Sequence, residues 1–397
     1  MRVSRKLNYG HIDINCKLST VHFIKIIMSC DIIIPVFNQR KYTEGCIESI
    51  KKNTASDYRI IIIDDKSNDP EMLSYLGELK DDNIRIVRNE KNLGWVGSVN
   101  RGIKESNAEY VCVMNNDTIV ADGWLDEMIR IAQREADIGL VNPEWEKPER
   151  VSIADYARSL KKYSGEFIET DWVRGFCFLV KREVVNRIGG LDEAYSPGYY
   201  DDCDYSVRAL RAGFRPVLAR ASYVYHYRNR THESVLKKEG MDSLLAKHKE
   251  LFCQRWGRPL RIAFIFSGKI IDTDKNIIKN LLLKLVRDQH HLYLWAQYNQ
   301  NRLIQHTNFK LSLLPKFLIW LFALGNIINN LGRSMNKRYD IIYINDKRLA
   351  GLFSMLRLNK CVKIIFSHLS DSSEIEQVLS EVESIKNERK IISRNLN

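Results

Sequence analysis

Acidic side chains recur at the ends of apolar runs in this 397-residue chain. In "YVCVMNND" (110–117) five mostly apolar residues run into Asn115, Asn116 and Asp117 before the chain turns apolar again. A carboxylate at the carboxyl end of a strand can hold a divalent cation, which in turn neutralises a diphosphate. Asn and Asp also form turns and cap helices, so this stretch alone leaves both uses open. "IIIDDKSND" supplies Asp64 and Asp65. Adjacent carboxylates repel, so a partner is expected nearby, and either acid can accept a hydrogen bond from a base N–H or a sugar hydroxyl. Ser67, Asn68 or Asp69 can cap the helix that follows Pro70, which leaves the Asp pair without an evident structural duty. "YYDDCDY" sets Asp201, Asp202 and Asp204 ahead of a helix. The helix dipole favours acids there, and simple capping accounts for one of them. The chemical alternative is a general base beside a reacting hydroxyl. His226, in "YVYHYRN", gains a chemical role only if Asp117 already holds a metal, since imidazole can supply a further ligand.

Other chemistries lack their residues. Neither a Walker A motif nor H-E-x-x-H occurs, and Gly94, Gly97 and Gly102 do not have the dinucleotide arrangement after a strand. The net charge of +12 is compatible with nucleic acid, an anionic membrane surface or a polyanionic small ligand. The basic residues are scattered without an aromatic platform, which argues against nucleic acid. No two of the eight cysteines have C-x-x-C spacing, and several lie in apolar runs. They read as reduced core residues of a cytosolic protein.

These residues need a scaffold. Strands over 30–37, 58–65, 84–90 and 110–117 alternate with helices over 43–54, 70–80 and 97–106. Continuous apolar strands between helices predict a mostly parallel α/β sheet covered on both faces. Ligands of such sheets bind beyond the carboxyl ends of the strands, so Phe37, Asp64, Asp65 and Asn115 to Asp117 fall on one rim. A strand and a helix are expected over 172–190, a helix after the acids of 201–204, and a strand over 215–229. A new βα series begins with "GRPLRIAFIFSG". Its strands are predicted at 261–267, 291–297, 339–345 and 361–367, and its helices at 275–288, 313–336, 347–358 and 372–387. The expected organisation is an N-terminal extension over 1–29, an α/β domain over 30–256 and a smaller Rossmann-like α/β domain over 257–397. "VHFIKIIM" lacks a signal-peptide cleavage site, and residues 1–27 read as an upstream extension or an early start codon. "FLIWLFALGNIINNLG" (317–332) is uncharged but shorter than the ~20 residues a membrane span needs, so it reads as a buried or interfacial helix.

Seven pieces in order over about 200 residues carry a resemblance: "IIIPVFNQ", "IIIIDDKSND", "NLGWVGSVNRGI", "YVCVMNNDT", "GFCFLVKREVVNRIGGLDEAY", "YYDDCDYSVRALRAGF" and "YVYHYRN". Residues 30 to about 235 resemble an inverting family 2 glycosyltransferase of the GT-A fold, and within it the bacterial rhamnosyltransferase-like branch that builds surface polysaccharides. The resemblance implies roles. Pro35 and Phe37 border the nucleotide base, and Asp65 contacts it with Asp64 alongside. Asn115-Asn116-Asp117 occupies the D-x-D position, where Asn replaces the first acid; Asp117 then carries the metal contact, and Asn115 or Asn116 bonds ribose or phosphate. Asp202 is the catalytic base, with Asp201 in place of Glu. His226 is the late metal ligand, and Gly175 to Phe178 form the loop beneath the acceptor. The implied reaction uses Mg²⁺ or Mn²⁺ and a nucleotide-diphospho-sugar donor, and inverts configuration at the anomeric carbon as a glycan or lipid-linked glycan hydroxyl attacks.

"LRIAFIFSGKI", "YDIIYINDKRLAGL" and "VKIIFSHLS" resemble the N-terminal, acceptor-side half of a GT-B glycosyltransferase. The donor-binding partner half does not follow, so a docking module without catalysis of its own is expected, peripheral at the cytosolic membrane face. Two competing functions remain: a catalytically inactive GT-A scaffold, motivated by Asn115, and a nucleotidyltransferase, disfavoured because "PVFNQRKYTEG" lacks a nearby glycine-rich loop.

Overall fold

The computed structural model describes residues 30–227, 238–268, 272–297, 303–331, 338–355, 363–367, 369 and 371–395. The extension expected over 1–29 lies outside the described residues, as do Cys16 and Cys361. The six described cysteines are free, and five of them are buried.

The first sheet contains β1 (Cys30–Val36), β2 (Tyr58–Asp64), β3 (Ile84–Arg88), β4 (Tyr110–Met114), β5 (Thr118–Val120), β6 (Ile138–Glu144), β7 (Phe167–Glu169), β8 (Cys177–Lys181) and β9 (Arg215–His226). Its helices are α1 (Arg40–Asn53), α2 (Pro70–Glu78), α3 (Gly94–Glu105), α4 (Trp124–Arg134), α5 (Ile153–Leu160), α6 (Arg182–Ile188) and α7 (Asp201–Arg211). The strand order is β3-β2-β1-β4-β8-β6-β9-β5, with β7 also paired to β9. Strands β3, β2, β1 and β4 are parallel, and β8 enters antiparallel between β4 and β6.

The isoleucine runs explain why β1 and β2 sit at the centre. Ile32, Ile34, Ile60 and Ile62 enter one core with Ile47 and Ile50 of α1. Ile33, Ile61 and Ile63 enter the opposite core with Val96 and Val99 of α3. Period-two alternation sends successive side chains to opposite faces, so an unbroken apolar run marks a strand covered on both sides. Helix α3 lies directly on β1: a Cβ at Gly102 would come 2.3 Å from Ile33 Cγ2.

The second sheet is wholly parallel, in the order β12-β11-β10-β13-β14. Its strands are β10 (Arg261–Ile265), β11 (His291–Gln297), β12 (Phe309–Leu314), β13 (Ile341–Ile344) and β14 (Lys363–Phe366). Helix α8 (Lys238–Trp256) leads into it, followed by α9 (Asp272–Arg287), α10 (Lys316–Leu331), α11 (Lys347–Met355) and α12 (Ser372–Asn395). It has its own apolar cores on both faces. The predicted fold class, a mostly parallel α/β sheet followed by a second, smaller α/β sheet, is the one observed.

Details differ from the sequence reading. The strand expected over 110–117 stops at Met114, because Asn115 to Asp117 turn the chain into β5. The helix expected from 313 begins at Lys316, and "FKLSLL" forms edge strand β12 instead. Helices α4, α5 and α8 and strands β6 and β7 were not anticipated. Among the described residues no helix is long and apolar enough to cross a membrane.

The two sheets meet through buried polar contacts. Glu169 of β7 receives a bidentate pair from Arg287 of α9, at 2.5 and 3.0 Å, and a bond from Arg215 at 3.1 Å. Gln289 Nε2 donates to the Asp171 carbonyl at 2.8 Å.

Candidate functional site

A cavity of ≈ 370 Å³ opens at the carboxyl ends of β1, β2 and β4. Strand β2 lies on one side of β1 and β4 on the other, so the cavity occupies the point where the strand order reverses. Pro35, Phe37, Asp65, Asn115, Asn116, Asp117, Asp202 and His226 all line it; Asp64 does not.

Asp64 and Asp65 face opposite ways. Asp64 is buried in an ion pair with Arg88 and accepts from the Ser67 N–H at 2.9 Å. That is the structural duty the sequence did not reveal. Asp65 accepts from the N–H groups of Leu93 and Gly94, at 2.7 and 2.9 Å, and from Asn89 Nδ2 at 2.9 Å. It thereby satisfies free donors at the start of α3 while facing the cavity. Gly94 has φ +69°, and a Cβ there would lie 2.8 Å from Pro197, so only glycine brings this loop against the loop ahead of α7. Asp69 is the residue that caps α2.

The turn after β4 separates its three polar residues. Asn116 is buried and donates to Thr43 Oγ1 at 2.9 Å. Asp117 Oδ1 lies 3.0 Å from His226 Nε2, and Asn115 Nδ2 lies 3.2 Å from the same nitrogen. Phe176 stacks on the His226 ring at 5.0 Å between centroids, which fixes its plane.

Asp202 also lines the cavity, and its Oδ2 accepts from the Gly175 N–H at 2.8 Å. Burial raises the Asp202 pKa, partly offset by the Gly175 and Cys203 N–H groups. Asp201 accepts from Trp95 Nε1 at 3.1 Å. Burial, then the neighbouring Asp202 charge, pushes Asp201 up to about 8. Asp201 therefore keeps its proton near neutral pH. Asp204 turns away, to Arg208 at 2.8 Å and Trp256 Nε1 at 2.9 Å.

The loop that presents these acids is strained. Tyr199 and Tyr200 have φ of 72° and 66°, in the left-handed region that aromatic residues avoid. Helix α8 holds it there. His248 Nδ1 donates to the carbonyls of Gly198 and Tyr199, at 2.8 and 3.1 Å, and Phe252 packs on Tyr200. Trp95, Phe176, Tyr199, Tyr200 and Asp201 line the cavity, yet only Phe176 (in the loop expected beneath the acceptor) and Asp201 were marked by the sequence. His248 lies 46 positions beyond Asp202 in a stretch without a motif.

No group of three or more metal-binding side chains exists among the described residues. Asp117 and His226 nevertheless fit one cation. Two cis ligands, each about 2.1 Å from an octahedral ion, sit about 3 Å apart, and their atoms are 3.0 Å apart. The remaining positions would fall to donor oxygens or water.

Residues 31–189 match the family described as "Glycosyl transferase family 2". An uncharacterized protein of Sinorhizobium fredii is 25% identical over 232 residues, covering 52% of this chain and 25% of that protein. The O-antigen biosynthesis protein RfbC of Myxococcus xanthus is 23% identical over 218 residues, covering 49% of this chain and 17% of that protein. The chain thus spans a quarter or less of the length of these two relatives. A mannosyltransferase of Pyrobaculum calidifontis, solved with GDP-Man and Mn²⁺, aligns over 84% of this chain and 81% of its own, at 14% identity and a TM-score of 0.45. The match to this family covers 159 of the chain's 397 residues.

Proposed function

We propose that this protein transfers a sugar, a hexose or deoxyhexose such as rhamnose, from a nucleotide-diphospho-sugar to a hydroxyl of a glycan or lipid-linked glycan, with inversion. The observation that carries this reading is one cavity lined by two chemically distinct groups. Asp117 and His226 form one, and Asp202, a half-buried carboxylate held by the Gly175 N–H, forms the other. Pro35 and Phe37 border the base, and Asp65 fixes the loop that faces it. Asn115 and Asn116 offer neutral amides to ribose or phosphate.

Asp202 accepts the proton of the acceptor hydroxyl, and the freed oxygen attacks the anomeric carbon from the face opposite the diphosphate. Its raised pKa makes it a stronger base than an exposed carboxylate. Asp117 and His226 would hold Mg²⁺ or Mn²⁺, which when bound offsets the negative charge of the departing diphosphate. As two protein ligands, Asp117 and His226 would hold such an ion only weakly in the absence of donor.

The name of the Myxococcus xanthus relative supports a place in bacterial surface polysaccharide synthesis. The second α/β sheet, resembling half of a GT-B enzyme, serves as a docking module at the cytosolic face of the membrane. A non-catalytic scaffold is the competing reading, favoured by Asn115 where the family pattern has an acid. Thermal shift with UDP-, dTDP- and GDP-sugars, with and without Mn²⁺, tests both. We expect a Mn²⁺-dependent shift for one donor that Asp117→Ala abolishes, followed by transfer from that donor. No shift with any donor supports the scaffold.

A further inference from the structure

Net charge is segregated along the chain. Residues 257–397 hold 22 Lys and Arg against 11 Asp and Glu, whereas residues 1–256 hold 39 against 38. The positive excess therefore belongs almost wholly to residues 257–397.

The same region carries an apolar surface that its own core does not use. Helix α10 packs Ile319, Ala323 and Ile327 against Trp295, Leu349 and Phe353. That inner face accounts for its attachment. On the outside, Phe317, Leu321 and Ile328 are 75%, 66% and 53% exposed. Their spacing of four and seven residues puts them on one stripe. Gly325 lies between them, and a Cβ there would meet nothing within 4 Å. Phe317 and Trp320 also border a cleft with Lys347 and Arg348, both exposed at the start of α11. An apolar stripe thus ends beside cationic side chains.

We infer that the outer face of α10 seats this protein on an anionic bilayer surface, with Lys347 and Arg348 at the level of the lipid phosphates. The helix has 16 residues, about 24 Å, too short for a hydrocarbon core of about 30 Å. It lies in the plane of the interface, with Phe317, Leu321 and Ile328 dipping toward the acyl chains. The basic excess supplies long-range attraction to acidic headgroups, which an apolar protein partner would not require. The assignment of a lipid-linked acceptor rests on the function proposed above; the docking surface itself rests on the stripe and the charge.

Flotation of the full chain with phosphatidylcholine vesicles, with and without phosphatidylglycerol, tests this. The protein should float with the acidic vesicles and at least about tenfold less with neutral ones. Phe317→Ser with Leu321→Ser, both exposed, should abolish flotation without lowering Tm. Lys347→Glu with Arg348→Glu should weaken it and reduce its dependence on salt. Wild-type protein that stays down with acidic vesicles overturns the inference, as does a Phe317→Ser/Leu321→Ser variant that floats normally. If that variant instead converts a dimer to a monomer and the wild type does not float, the face belongs to a second copy and the inference also fails. None of these readouts involves sugar transfer. Transfer without flotation therefore sinks only the docking surface, and flotation without transfer sinks only the enzymatic reading.

Discussion

Asp117 Oδ1 and His226 Nε2 stand 3.0 Å apart although 109 positions separate them in the chain. The antiparallel pairing of β5 with β9 brings them together: Thr118 is in register with His226, and the Tyr227 N–H donates to the Asp117 carbonyl at 3.0 Å. Removing either side chain should therefore have the same effect. We expect Asp117→Ala and His226→Ala each to abolish the Mn²⁺-dependent part of donor stabilisation. Transfer should fall by more than the roughly 10–100-fold that loss of an outer metal partner costs. Isothermal titration with Mn²⁺ alone should show weak binding in the wild type. Tight binding without donor would contradict the two-ligand site.

Asp202→Asn should reduce transfer by about 10²- to 10⁴-fold, the usual range for a general base, while donor binding by thermal shift stays near wild type. Normal turnover in this variant would remove Asp202 from the mechanism.

Asp201 gives a pH signature. Its folded pKa of about 8 lies above the ordinary carboxylate value, because burial and the Asp202 charge disfavour ionisation. Below an ordinary carboxylate pKa of about 4 folded and unfolded chains are both protonated there, so the favourable setting is fully present. Between that pH and about 8 the unfolded chain releases the proton and the folded one keeps it, so stability declines with rising pH. Asp201→Asn, which imitates the protonated acid and keeps an acceptor for Trp95, should flatten that decline in urea titrations at a series of pH values. An unchanged slope would refute the assignment.

His248 acts on the acidic loop from outside the cavity. Its Nδ1 donates to two carbonyls beside the left-handed Tyr199 and Tyr200. We expect His248→Phe to destabilise the fold by about 1–3 kcal/mol, the penalty for a buried acceptor left unpaired. It should also lower kcat more than it raises KM for the donor, because Asp202 loses its fixed aim. His248→Asn, which can still donate, should recover part of both. Equal stability loss with unchanged kcat would reduce His248 to a packing role.

Glu169 ties the two sheets together under acid control. Burial alone would raise its pKa, but Arg287 and Arg215 outweigh that and hold it below the usual value. A lowered carboxylate stabilises above its unfolded pKa and loses that contribution as pH falls through the folded one. Arg287→Ala should cost about 1–3 kcal/mol near neutral pH by stripping a buried carboxylate of a partner. The deficit should shrink below about pH 4, where Glu169 is protonated in the unfolded chain. A deficit independent of pH would point to lost packing instead.

The sequence by itself determined the α/β class, the central strands and the rim on which Asp65 and Asp117 stand. Two-sided burial leaves its own mark there, in the unbroken isoleucine runs of β1 and β2. The acids interrupt those runs where the chain must leave the sheet, so composition and position announce them together. Tertiary structure decided the rest. Asp64 reads like Asp65 until the pleat turns it toward Arg88, a residue 24 positions away whose register only strand pairing fixes. Trp95 and Tyr199 sit in quoted pieces without a role of their own, and His248 sits in none, because their task is to fill and brace one loop, and packing of that kind depends on shape rather than on residue type. Helix α10 illustrates the same limit. Its apolar sequence is evident, but only its docking on the second sheet separates the face that builds the core from the face that stays exposed.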